Sequence, residues 1–273
     1  MIQDIAPHKY HVAFEQCEPT EEDILLVFRG DELLVREAEG RTWFPAVGEI
    51  EGLPKEADFL FRMDDTNLFM TEVEDKEFEG WHFVKQEYFR SVYPMWKAFA
   101  GATAIQIHRW YSNNKFCSRC GGHMHKGSTE RSLICSDCGR TVYPSIAPCV
   151  IVAVTDGSRI LLTRYNKKHS KYTRFALVAG YTEVGETLED TVRREVMEEV
   201  GLKVKNITYY KNQPWSFSDT LLVGFFAELD GSGEIVRDEN ELSEAVWFER
   251  DEIPEYDSLI SLTNEMIERF RKG

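Results

Sequence analysis

Gly180-Tyr-Thr-Glu-Val-Gly-Glu-Thr-Leu-Glu-Asp-Thr-Val-Arg-Arg-Glu-Val-Met-Glu-Glu-Val-Gly-Leu202 is the stretch that decides how the C-terminal part of this chain folds. Glu195, Glu198 and Glu199 stand at i, i+3 and i+4, so a helix projects all three carboxylates from one face. Val192, Val196 and Val200 recur at every fourth position beside them and supply an apolar stripe for a core. Thr187-Leu-Glu-Asp190 has the form of a capping box, and acidic residues suit the first turn of a helix dipole, which sets the helix start near Thr187. Gly201 offers a left-handed C-terminal cap. One face of this helix packs and the adjoining face is acidic.

A solvated surface is the ordinary explanation of a Glu-rich helix. Against it, like charges at i, i+4 destabilise a helix by about 0.2–0.5 kcal/mol, a penalty that hard divalent cations with oxygen ligands would remove. Nor does a solvated face require Gly180, Glu186, Arg194 and Gly201 at their positions.

The stretch fits Gly-x5-Glu-x7-Arg-Glu-U-x-Glu-Glu-x-Gly-U at every specified position, U being a bulky aliphatic residue, and so resembles the Nudix box. Members of that family hydrolyse a nucleoside diphosphate linked to another moiety, using Mg2+ or Mn2+ on the box carboxylates. The resemblance implies that Glu195, Glu198 and Glu199 hold metal or activate water, with Glu199 the leading general base. It further implies that Arg194 orients the carboxylates, that Gly180 shapes the loop before the helix, and that Glu186 braces the loop and helix together.

Four of the six cysteines form two pairs, Cys117-Ser-Arg-Cys120 and Cys135-Ser-Asp-Cys138, each followed by glycine and separated by fourteen residues. Two such turns clasp a tetrahedral Zn2+, and four thiolates close its coordination, which predicts a structural rather than a catalytic ion. Disulfides are the alternative. His123 and His125, inside this module, are expected on its surface because the cysteine set is complete; Cys17 and Cys149 are expected to be ordinary buried thiols.

The 273 residues, 42% hydrophobic, are ample for one sizeable core or two modest ones. A net charge of −15 argues against broad nonspecific nucleic-acid binding, which draws on clustered Lys and Arg. The chain opens without a basic segment and apolar run, and no stretch approaches membrane-spanning length; a soluble cytoplasmic protein with no membrane partner is expected.

Ile24–Phe28 and Leu33–Glu37 read as a hairpin around Arg29-Gly-Asp-Glu32, and Val150–Val154 and Ile160–Arg164 repeat the plan around Thr155-Asp-Gly-Ser-Arg159. Each hairpin leads to an apolar segment ending in glycine, Trp43–Gly48 and Phe175–Gly180, a hint of internal duplication in which the first copy lacks the acidic helix; chance similarity between two β-rich segments is the alternative. Ser132-Leu-Ile134 reads as a short strand, Pro94 and Met95–Tyr111 as a helix, and Asp257–Arg271 as a closing amphipathic helix. Trp96, Phe99 and Trp110 are assigned to core or interface.

Downstream of the box, Asn212-Gln-Pro-Trp-Ser-Phe-Ser-Asp-Thr220 is similar to the Ser-Gln-Pro-Trp-Pro-Phe-Pro-x-Ser array of the zinc-ribbon NADH pyrophosphatases, a Nudix subfamily that includes enzymes acting on NAD-capped RNA. Asn212, Ser216, Ser218 and Thr220 depart from that array. Loss of two prolines loosens the loop. Trp215 offers a stacking surface, or a core one, and Gln213 an amide that both donates and accepts.

The subfamily resemblance implies substrate contacts from Tyr181, Gln213, Trp215, Thr220 and Tyr143, with Glu241 completing metal or substrate binding and Glu244 its nearby competitor. Only Ser258-Leu-Ile260 stands where the subfamily has Ser-Ile-Ala before its last helix.

The expected fold class is α/β (α+β): a Nudix α/β/α sandwich with a mixed sheet (144–273), preceded by a zinc ribbon (113–143) and a divergent Nudix-like N-terminal domain with a closing helix (1–112). The expected activity is hydrolysis of NADH or NAD+ to nicotinamide mononucleotide and AMP, with removal of NAD caps from RNA as an extension and a homodimer as the assembly. The alternatives are another dinucleotide or ADP-ribose as main substrate, or a zinc-ribbon module that binds RNA or protein with vestigial hydrolysis.

Overall fold

Alternating apolar residues build two mixed sheets with the same pairing pattern. The computed structural model describes residues 1–54, 56–166, 174–255 and 260–273. In the N-terminal part, strands β1 (Tyr10–His11), β2 (Ile24–Arg29), β3 (Glu32–Ala38), β4 (Arg41–Trp43), β5 (Asp58–Met63), β6 (Thr66–Glu72) and β7 (His82–Val84) form a sheet in the order β1-β5-β6-β2-β3-β4, with β7 also on β3. Helix α1 (Met95–Asn113) follows, with Pro94 as its N-cap. The ribbon has three short strands, β8 (Met124–Lys126), β9 (Leu133–Cys135) and β10 (Thr141–Val142).

The C-terminal part contains β11 (Ala147–Asp156), β12 (Arg159–Tyr165), β13 (Val178–Tyr181), α2 (Leu188–Val200), β14 (Val204–Trp215), β15 (Thr220–Leu229), β16 (Leu242–Glu249) and α3 (Leu262–Lys272). Its sheet runs β14-β15-β11-β12-β16, with β13 also on β11. The chain divides into two compact units, one of residues 2–145 and 216–218 and the other of Met1, 146–215 and 219–273. Among the described residues no helix is long and apolar enough to cross a membrane.

Five strands correspond between the two sheets, β2, β3, β5, β6 and β7 with β11, β12, β14, β15 and β16. Each starts with a hairpin closed by a two-residue turn, Arg29 opposite Glu32 in β2 and β3 and Asp156 opposite Arg159 in β11 and β12. Each first strand has a parallel neighbour, β6 on β2 and β15 on β11, and that neighbour pairs antiparallel with the strand before it. Counting back from the turns makes Ile24 equivalent to Ile151, and both meet an alanine of the segment that follows the hairpin, Ala46 and Ala179 respectively. The same count equates Phe69 with Phe225, and each lies in the core beneath its own sheet.

This register corrects one part of the sequence reading, because the position equivalent to Gly180 is Val47 and not Gly48. Val47 packs against a core of Leu25, Val27, Leu34, Phe59 and Phe69. On the matching face of the C-terminal sheet lies α2, whose Val192, Val196 and Val200 are fully buried against Val150, Val152, Val154 and Phe225. The opposite face of that sheet is covered by α3, through Leu262, Met266, Ile267 and Phe270.

Local signals fixed the ends of α2. Thr187 is its N-cap and accepts from the Asp190 N–H at 3.2 Å, while Gly201 takes φ 69°. The second hairpin is tighter than expected, since β11 runs on to Asp156 and only Gly157 and Ser158 turn. Helix α3 begins at Leu262, where Ser261 accepts from the Asn264 N–H; the expected start at Asp257 lies outside the described residues, as do Ser258 and Leu259. Cys149 is buried, but Cys17 is exposed in the irregular stretch before β2, against expectation.

Candidate active site

Strand β13 and helix α2 bring Gly180 beneath Glu195. A Cβ at residue 180 would lie 1.9 Å from Glu195 Cδ, so only glycine leaves room for that carboxylate. Arg194 fixes the group from the side. Its guanidinium donates to Glu195 Oε1 at 2.7 Å, to Glu198 Oε2 at 3.0 Å and to the Tyr181 carbonyl at 2.9 Å. The same guanidinium forms a two-point contact with Glu186, at 2.7 and 2.8 Å. That contact holds the Glu186 carboxyl down at about 2. Glu186 also accepts from Thr191 Oγ1 and from the Glu183 N–H, both at 3.0 Å, and thereby ties the loop to the helix.

Glu199 points the other way, into the protein. It is 2% exposed, and burial raises its pKa to about 8, with Glu195, Glu241 and Asp238 adding to the rise against the Ala179 N–H. Oε1 accepts weakly from that N–H at 3.4 Å and Oε2 has no hydrogen-bond partner. Burial likewise raises Glu195, opposed by Arg194. A buried carboxylate oxygen without a donor costs about 1–3 kcal/mol or more, and a cation supplies what is missing. The donor set, all hard oxygens from Glu195, Glu198, Glu199 and Glu241, fits a hard divalent cation.

The carboxylates are near one another without being gathered. Among the described residues, three or more His, Cys, Asp or Glu ligand atoms lie within 4.8 Å of one another only in the cysteine set. Arg194 holds Glu195 and Glu198, while Glu199 turns toward Ala179. Glu241 is exposed, and its charge reaches both Glu195 and Glu199. Its competitor Glu244 is occupied by Arg164 at 3.0 Å.

Two residues beside the carboxylates have no motif to announce them. Cys149, paired with Tyr181 across β11 and β13, is pushed up to about 12 by burial and then by Glu195 and Glu199. Tyr165, at the end of β12, is raised by burial and by Glu199, Cys149, Glu241 and Glu195. The signal that finds them is strand register, which short-range patterns do not carry.

The residues of the array have unlike surroundings. Gln213 is fully buried; its amide donates to the Ile260 carbonyl at 2.8 Å and accepts from the Leu262 N–H at 2.7 Å, so it positions the start of α3. Thr220 is buried at the start of β15, opposite Trp215. Trp215 is half-buried against Leu222, Met266 and their neighbours. Tyr181 is exposed. Tyr143 belongs to the N-terminal unit, is exposed, and donates to Glu130 at 2.8 Å. Ser216 and Phe217 also belong to that unit, where their carbonyls accept from Arg109 at 2.8 Å and Gln86 at 2.7 Å.

The ribbon cysteines converge. Cys117 and Cys138 Sγ are 3.8 Å apart and Cys120 and Cys135 Sγ are 3.5 Å apart, with all four within 4.8 Å. Thiolates about 2.3 Å from a tetrahedral Zn2+ stand about 3.8 Å from each other, whereas bonded sulfurs stand about 2.05 Å apart. The set therefore fits the ion and not disulfides. His123 and His125 are exposed.

A mixed sheet bearing a glycine strand and an acid-faced helix, preceded by a four-cysteine ribbon, defines the class. Residues 145–270 match the NUDIX domain and residues 112–143 the NADH pyrophosphatase zinc ribbon domain. The C-terminal part of the chain is a Nudix domain joined to a zinc ribbon of the NADH pyrophosphatase type.

Over 150 residues the chain is 47% identical to the NAD-capped RNA hydrolase NudC of Salmonella heidelberg (strain SL476), covering 55% of this chain and 57% of that protein. The NAD-capped RNA hydrolase NudC of Salmonella typhi matches with the same identity and coverage. The chain thus spans little more than half the length of these curated relatives. A NUDIX hydrolase from Nitrosomonas europaea aligns with 58% of this chain and 90% of its own, at 23% identity and a TM-score of 0.47.

Proposed function

We propose that this protein hydrolyses the diphosphate linkage of NADH or NAD+ to nicotinamide mononucleotide and AMP, and removes the same group from NAD-capped RNA. The observation that carries the reading is Glu199, a buried carboxylate with one oxygen lacking any donor, beside Glu195 on the Nudix helix. The names of the Salmonella relatives support the choice of an NAD-linked substrate.

Glu195, Glu198, Glu199 and Glu241 would hold Mg2+ or Mn2+, which supplies charge neutralisation at the diphosphate and a bound water of lowered pKa. The chain's own groups do the rest. Arg194 keeps Glu195 and Glu198 on one face of α2, and Gly180 leaves the space that Glu195 needs. Glu199 takes the proton of the attacking water; burial and its acidic neighbours keep it protonated near neutral pH, so it acts as a base only beside a positive charge. Tyr181 and Trp215 are assigned to the nicotinamide side, Tyr143 and Thr220 to further substrate contacts, and Gln213 to the support of that wall. Zn2+ on Cys117, Cys120, Cys135 and Cys138 is structural. A cytoplasmic homodimer completes the reading.

Purified protein with Mg2+ or Mn2+ is expected to release AMP from NADH and nicotinamide mononucleotide from NAD-capped RNA. Glu199→Gln should lower kcat by about 10²- to 10⁴-fold while the folded state persists. Turnover like that of the wild type in Glu199→Gln would remove the assignment of the base, and absence of AMP release by the wild type would remove the reaction.

A further inference from the structure

Lys97 is a buried cation without an acidic partner. It lies in the first turn of α1, 6% exposed, and among the described residues its ammonium makes no hydrogen bond or ion pair. Its ammonium stands 3.8 Å from the ring centre of Trp43 and 5.3 Å from that of Trp96. Burial first, and then its charged neighbours Arg41 and Arg36, lower its pKa to about 8. Buried charges are normally paired, and this one is surrounded by like charge.

The strand register explains how the group assembles. β3 and β4 set Arg36 opposite Trp43, and Arg41 shares the Trp43 face of β4 because alternate residues of a strand point the same way. Thr42 points to the other side and meets the Tyr88 hydroxyl at 2.8 Å. Arg41 is exposed and makes no ion pair among the described residues. Arg36 contacts Glu49 at 3.2 Å and lies over Trp81, 4.6 Å from its ring centre. Trp43 is 41% exposed. In a chain of net charge −15, three cations and three indoles thus gather here, and only Arg36 among those cations has a carboxylate partner, Glu49.

We propose that this cluster in the N-terminal unit is a nucleotide-binding site, with a phosphate on Lys97, Arg41 and Arg36 and a base stacked on Trp43. A phosphate supplies the negative charge that Lys97 lacks, and a flat base uses an indole left half in solvent. An anion without a ring would leave the indole unused, and a neutral ring would leave the ammonium unpaired. The site is independent of the hydrolysis proposed above, and its test does not use turnover.

The probes are AMP, ribose 5-phosphate and a single-stranded adenosine tetranucleotide with hydroxyl ends, titrated into the zinc-loaded full chain without Mg2+ or Mn2+, by calorimetry and tryptophan fluorescence. Wild-type protein should bind AMP at least about tenfold more tightly than ribose 5-phosphate, reflecting base stacking. Lys97→Met and Arg41→Glu should each weaken AMP binding about tenfold or more. Arg41 is exposed, so its substitution tests the site even if Lys97→Met alters the fold. Tetranucleotide bound more tightly than AMP, and lost in the same variants, assigns the site to a nucleic-acid strand; AMP bound as tightly or better assigns it to a free mononucleotide. AMP affinity unchanged by Arg41→Glu, or ribose 5-phosphate bound as tightly as AMP, overturns the proposal.

Discussion

The two sheets of this protein share one pairing pattern and have opposite chemistry. Both contain a hairpin, both take a parallel neighbour on its first strand, and both set a core phenylalanine, Phe69 or Phe225, at the same register position. After the segment that follows the hairpin they part. The C-terminal copy continues into α2 with its carboxylates, whereas the core beneath the N-terminal copy is packed by Val47, Ile50, Leu53 and other partly buried residues. Where one copy buries Glu199, the other buries Lys97. A strand order can therefore be kept while the chemistry is replaced, because the site sits on one inserted helix and a few side chains.

The equivalence of Gly180 and Val47 is the sharpest part of this comparison. Gly180→Val drives a side chain into Glu195 and should lower kcat at least about a hundredfold, the scale of a misplacement near 1 Å, with circular dichroism unchanged. The reciprocal change, Val47→Gly, removes apolar packing from the N-terminal core and should cost about 1–2 kcal/mol of stability with turnover unaltered. A Val47→Gly enzyme as slow as Gly180→Val would break the comparison, since both copies would then serve the reaction.

A smaller effect isolates the helix itself. Thr187 caps α2 through the Asp190 N–H and also donates to Asp190 Oδ2 at 2.7 Å. Thr187→Ala should cost about 1 kcal/mol. If the carboxylates depend on the order of that first turn, kcat falls a few-fold with KM little changed. A loss in KM alone would separate the start of α2 from the carboxylate face and assign it to substrate.

How much of this was legible beforehand follows from the range of the signals. Thr187, the valine stripe and Gly201 act within α2, so its limits could be read directly from neighbours in sequence. The Cys pairs were equally local, and their sulfurs converge. Gln213 carried a recognisable array, yet its amide is spent on Ile260 and Leu262, forty-seven and forty-nine residues away, and no local pattern predicts that pairing. Cys149 and Tyr165 reach the carboxylates only through strand register, and a one-residue offset separates Gly48 from the true counterpart of Gly180. Cys17, expected inside, lies in irregular backbone with no periodicity to bury it.

The effect that reads both sheets at once is the pH dependence of stability without added divalent cation. Glu199 has a folded pKa raised to about 8 from 4.5, so the folded form binds more protons than the unfolded one between those values. Its contribution is complete below 4.5 and is lost as pH rises toward 8. Lys97 is lowered to about 8 from 10.5, so here the unfolded form binds more protons, and its contribution is present above 10.5 and lost as pH falls toward 8. Arg36 and Arg41 stay charged throughout that range. Melting curves should therefore show Glu199→Gln flattening the fall between pH 5 and 8, with a residue of slope left by the raised Glu195, and Lys97→Met flattening the rise between pH 8 and 10. At full effect each difference should amount to at most roughly 3–5 kcal/mol, and at about 2–4 °C per kcal/mol in a chain of this size the melting temperatures should move by about 5 °C or more. If Lys97→Met left the alkaline limb unchanged, the ammonium would be solvated in the free protein and the two copies would differ in surface charge rather than in what they bury.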